Sequence, residues 1–114
     1  MGARTIDEVP TYVSHCLDKY IVVCPLDKQM FQLLRQMGFK YHGIFPRNFS
    51  IKAETEAEKA RIFAALRDLG ICFSLGKEWS PSEMFEDYRD RGLLEGPYRR
   101  IGWASPKVIR IDTI

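Results

Sequence analysis

The residues best suited to chemistry are cations interleaved with aromatic side chains late in the chain. Tyr98-Arg99-Arg100-Ile101-Gly102-Trp103, followed by Arg110, falls in a stretch, 96–111, without a single acidic residue. Tyr, Trp and Arg dominate the energetics of protein interfaces because they join a large apolar area to directed hydrogen bonds. Tyr98, Arg99, Arg100, Trp103 and Arg110 are therefore the candidate contacts for a protein partner. A second acid-free stretch, 28–53, carries Lys28, Arg35, Lys40, Arg47 and Lys52 together with His42. Cations of this kind neutralise phosphates, and neighbouring aromatics stack on unpaired bases. Lys40, His42, Arg47 and Lys52 are thus the candidates for the alternative, an RNA- or DNA-binding surface built from segments 28–53 and 96–111.

Other chemistries find little support. Cys16, Cys24 and Cys72 are odd in number and lack CxxC spacing, while His15 and His42 stand apart from any second pair. A structural zinc site draws four ligands, mostly from two short-spaced pairs. The thiols read instead as small hydrophobes. Glu83, Glu86, Asp87 and Asp90 share one helical face, the spacing of a solvated acidic surface. No GxSxG, HExxH, GxxxxGK[ST] or GxGxxG is present, so nothing calls for a catalytic residue, a metal or a cofactor. The glycines stand instead at the ends of expected elements.

The 114 residues suffice for one domain, and a net charge of +2 with a pI near 8.5 falls well short of a polyanion-wrapping chain. The first residues lack the apolar core of a secretory signal, and Met1-Gly2 is not followed by the Ser or Thr of a myristoylation site. The longest apolar run, Tyr20 to Cys24, is too short for a bilayer. With an odd number of cysteines and no disulfide framework, these features lead to the expectation of a cytoplasmic protein without a membrane partner.

The elements that must position these residues follow from pattern and punctuation. Val13, Cys16, Leu17 and Tyr20 recur at helical spacing, so a helix beginning near Pro10 is expected at the N-terminus. Tyr20-Ile21-Val22-Val23-Cys24 reads as a buried strand. A helix from about Leu26 to Met37 stops at Gly38. Phe39 to Phe45 and Asn48 to Ala53 read as a hairpin around Pro46-Arg47-Asn48. Thr55-Glu56-Ala57-Glu58 opens a helix that runs to Leu69 and stops at Gly70, before the strand Ile71 to Leu75. Ser80-Pro81-Ser82-Glu83 combines Ser at N-cap, Pro at N1 and Glu at N3, with Trp79 placed to staple against Met84. That helix stops at Gly92, and strands Tyr98 to Ala104 and Val108 to Thr113 close the sequence.

One stretch recurs: Phe31 to Phe39, Phe63 to Ile71 and Phe85 to Leu93 each place Phe, then Leu or Tyr, Arg and Gly at matching positions. The first two copies are 32 residues apart, as the two helices of a duplicated βαβ core would be. The third has Arg91 where the others have Met37 and Leu69, so its helix is expected to pack differently. The fold expected is α+β, with a ferredoxin-like βαββαβ core over about 20–75, an N-terminal helix and a C-terminal α-β-β extension over about 77–114, all in one domain. RNA-binding domains of the RRM type use the same sheet as a platform, but their RNP1 pattern is missing. The function expected is that of a small non-catalytic intracellular protein-binding module, an inhibitor, immunity-type or adaptor protein. Nucleic-acid binding is the alternative, and small-molecule sensing in a cleft between sheet and helices is a third.

Overall fold

The computed structural model describes residues 3–5, 11–17, 19–24, 28–42, 48–75, 80–105 and 108–114. In chain order these form β1 (Ala3–Thr5), β2 (Tyr12–Leu17), β3 (Tyr20–Cys24), α1 (Lys28–Gln36), β4 (Lys40–His42), β5 (Asn48–Lys52), α2 (Glu56–Asp68), β6 (Cys72–Ser74), α3 (Pro81–Asp90), β7 (Arg99–Ser105) and β8 (Val108–Thr113). All eight strands join one sheet in the order β1-β8-β7-β6-β2-β3-β5-β4. Strand order and helix placement are consistent with a ferredoxin-like βαββαβ core, β3-α1-β4-β5-α2-β6, plus extra elements.

The expected N-terminal helix is corrected. Residues 12–17 are a strand, hydrogen-bonded antiparallel to β3 and parallel to β6, and it lies between the first and last strands of the core. A register shift between Val13 and His15 explains the misreading. The extra residue of a β-bulge puts Val13 and Cys16 on one face, so an apolar spacing of three imitates a helix. Pro10, Pro46 and Arg47 of the expected turn, and Trp79 lie outside the described residues.

The helix boundaries follow the capping chemistry. Thr55 Oγ1 accepts from Glu58 N at 3.1 Å, and Ser80 with Glu83 forms a complete capping box. The three recurring stretches end their helices identically. Gly38, Gly70 and Gly92 all have positive φ. In each, the glycine N–H donates three residues back, to Arg35, Arg67 or Arg89, and the next N–H donates five residues back, to Leu34, Leu66 or Tyr88. This is the Schellman arrangement, which requires a left-handed residue that glycine adopts without a Cβ clash. In the first two copies the residue after the glycine, Phe39 or Ile71, is buried in the core beside Leu34 or Leu66, whereas Leu93 is exposed.

One sheet face is covered by all three helices. Val13, Ile21, Val23, Phe49 and Phe73 from the strands meet Leu34, Phe63, Leu66, Met84, Phe85 and Tyr88 from the helices. Phe73 is central, with ring centroids 5.0 Å from Phe63, 5.0 Å from Phe85 and 5.8 Å from Tyr98. The opposite face carries a smaller cluster, Cys72, Ile101, Ile109 and Ile111, with Tyr12 packed against it. As expected for the third copy, Arg91 does not enter the core; it bridges α2 and α3 through Glu56 and Asp87.

Candidate partner-binding face

Strand alternation decides which candidates share a surface. In β7, Arg99, Ile101 and Trp103 point away from the helices, whereas Arg100 points to the helix side with its parallel neighbour Phe73. Trp103 lies over the smaller cluster, its ring edge-on to Tyr12 at 5.5 Å and 68°. It remains 41% exposed. Its cross-strand partner is the buried Ile109, and Ile101 pairs with Ile111 beneath. The result is a half-exposed indole on a tightly packed aliphatic base, held by strands rather than by a loop.

The five residues expected to act together are divided. Trp103 and Arg99 occupy the open face, and Arg99 Nη1 donates to the Gly70 carbonyl at 3.4 Å. Arg100 and Arg110 both turn to Asp112 on the other side, with Nη2–Oδ2 at 3.8 Å and Nε–Oδ1 at 3.3 Å. Tyr98 is a core residue, 2% exposed, stacked on Phe85 at 4.4 Å. Its hydroxyl donates to Glu86 Oε2 at 2.9 Å and meets Ser82 Oγ at 2.5 Å. Burial holds the Tyr98 phenol up at about 12. It therefore offers a partner no surface.

Of the nucleic-acid candidates, Lys40 and Lys52 stand on the open face, on the neighbouring strands β4 and β5. Arg47 lies outside the described residues; His42 pairs with Asn48 through the β4–β5 ladder. The sequence reading missed Tyr20, which is 46% exposed and directly across from Lys52. The continuous apolar run 20–24 concealed it. The signal was in its partner strand, where Ser50 and Lys52 alternate with Phe49 and Ile51 and mark one wet face. Lys52 and Lys19 both reach Glu54, at 3.1 and 3.2 Å, and their hydrogen bonds hold its carboxyl below the usual range.

The acidic face of α3 is committed to structure in large part: Glu83 to the cap, Glu86 to Tyr98 and Asp87 to Arg91. Cys16, Cys24 and Cys72 form no disulfide, and burial pushes Cys16 up to about 12, against a smaller opposing pull from Lys59. Among the described residues, no group of three or more His, Cys, Asp and Glu side chains is placed to hold a metal ion, and no helix is long and apolar enough to cross a membrane. No protein-family model matches this chain, and neither a curated protein nor a solved structure does.

Proposed function

We propose that this protein is a non-catalytic intracellular protein-binding module, of the inhibitor, immunity or adaptor kind, that engages its partner through the open sheet face around Trp103. The observation that carries the reading is the half-exposed Trp103, anchored on Tyr12 above buried isoleucines. A rigid indole loses little conformational entropy on association, and truncating such an anchor costs 2 kcal/mol or more at a typical hot spot, about thirtyfold in affinity. Arg99 on the same face supplies directed donors at its margin. The test compares wild type with Trp103→Ala as bait for cross-linking and mass spectrometry, after circular dichroism establishes equal folding. A protein captured by wild type and lost from Trp103→Ala supports the reading. Identical captures by both baits count against it.

A second reading, single-stranded nucleic-acid binding, is favoured by the grouping of exposed Tyr20 with Lys40 and Lys52 on the same face. Lys40 and Lys52 would contact about two phosphates, so the slope of log K against log salt should be about −1.4. Fluorescence anisotropy with a labelled oligothymidine at low salt measures it. An absence of binding at the lowest salt removes this reading.

A further inference from the structure

A shallow cavity of about 650 Å³, wide open to solvent, lies where the end of α2, the 95–97 connector and strands β7 and β8 meet. Its volume falls in the range used by small-molecule sites, which combine apolar walls with a few placed polar groups. Pro97 supplies the exposed apolar wall, over a floor formed by the buried Ile71 and Tyr98, and Arg67, Arg99 and Thr113 supply polar lining. Arg67 is already engaged. Its Nε and Nη2 reach Asp68 Oδ1 at 3.1 Å, and its Nη1 donates to the Glu95 carbonyl. The Arg67–Asp68 pair is therefore locally neutral and fastens the connector. Gly96 allows this approach, because a Cβ there would come within 3.0 Å of the Arg67 guanidinium.

Arg99 is different. A guanidinium carries five N–H donors, and among the described residues this one donates from Nη1 to the Gly70 carbonyl at 3.4 Å. Thr113 stands directly across from Arg99 on β8 and is exposed. Cross-strand partners hold their Cβ atoms about 4.5–5.5 Å apart, so an oxyanion can accept from the guanidinium and the hydroxyl together. The exposed Glu95 is the one lining carboxylate not paired with Arg67, and it opposes an anion.

We propose that this cavity binds a small organic oxyanion, an apolar or aromatic body bearing one carboxylate or phosphate. Arg99 and Thr113 hold the anionic group, and Pro97 lies against the body. The site meets the Trp103 face at Arg99, and its test, a titration with small anions alone, is read independently of any protein partner.

The test is a ¹H–¹⁵N correlation titration of the full chain at constant ionic strength with sodium benzoate and with phenyl phosphate. Benzyl alcohol serves as the uncharged control. Saturable shifts of the Ile71, Arg99 and Thr113 amides with either anion, larger than with benzyl alcohol, support the site, and the tighter anion identifies the group it prefers. Arg99→Gln and Thr113→Val should each weaken binding, the former about tenfold, as expected for loss of a charge-assisted hydrogen bond. Glu95→Gln should tighten it. Failure of both anions to saturate by about 10 mM, a range that already corresponds to very weak binding, overturns the proposal. So do equal shifts with benzyl alcohol, or unchanged affinity in both Arg99→Gln and Thr113→Val.

Discussion

The Tyr98 hydroxyl is the most informative single atom to remove. Tyr98→Phe keeps the ring that stacks on Phe85 at 4.4 Å and meets Phe73 at 5.8 Å, so packing is preserved and the hydrogen bonds alone are lost. The phenol proton is directed at the Glu86 carboxylate, so the Ser82 hydroxyl donates to the phenol oxygen. Glu86 is only partly buried and can recruit water, whereas Ser82 is fully buried and cannot. Leaving a buried polar group unpaired costs about 1–3 kcal/mol. With an unfolding entropy of about 2.1 cal/mol/K per residue, a chain of this size loses roughly 4 °C per kcal/mol, so Tyr98→Phe should lower Tm by about 4–12 °C. Urea denaturation should give the same loss at unchanged m, since no new surface is exposed. Ser82→Ala removes the orphan, and the double variant Ser82→Ala with Tyr98→Phe should be more stable than the sum of the singles by about 1 kcal/mol. Strict additivity, or a Tyr98→Phe loss below about 0.5 kcal/mol, would refute the assignment of the bond as buried and irreplaceable.

Ser80→Ala breaks the capping box of α3 and should cost about 1 kcal/mol, read as a shift in the urea midpoint. Gly70→Ala meets no atom within 4 Å but must hold a φ of +83°, so its cost, about 1–2 kcal/mol, is conformational; Gly102→Ala, with an equally open surrounding, should be near neutral by the same assay. At alkaline pH, Tyr12, Tyr88 and Tyr98 are each held up at about 12 by burial, against 10 when unfolded, and Cys16 at about 12 against 9. The native state then keeps protons that the unfolded chain releases. Stability is full below about pH 9 and falls as pH rises toward 12; a urea midpoint independent of pH across that window would contradict it.

Local grammar was well marked in the sequence. Thr55 with Glu58, Ser80 with Glu83 and the three stop glycines sit where the structure uses them, because caps and left-handed stops depend on neighbours only a few residues away. β8 was legible to the residue, since Ile109 and Ile111 alternate with Arg110 and Asp112 and no bulge disturbs them. The strand at 12–17 was not legible, because its bulge reset the period and its partners β3 and β6 are joined only by the fold. The site was harder for the same reason. That Arg99 and Trp103 share a face follows from alternation alone, yet which face the helices cover depends on where α3 docks. The burial of Tyr98 likewise depends on Phe85 arriving above it. Tyr20 escaped notice because exposure at the end of an apolar run is decided by the strand beside it.

The shortest internal strand has a consequence for how the chain comes to be made. β6 joins the two halves of the sheet with three residues, parallel to β2 on one side and to β7 on the other. So few ladder bonds hold little by themselves; the join is secured by Phe73, clasped by rings from α2, α3 and the residue preceding β7. During synthesis, β2 through α2 leave the ribosome with the outer edge of β2 unpaired. That edge cannot be sealed durably until the chain past Tyr98 has emerged to complete the clasp. For that interval the nascent protein carries an open strand edge, the feature through which chains join to one another. The translation of α3 and β7 therefore sets the duration of its exposure to aggregation and to chaperones.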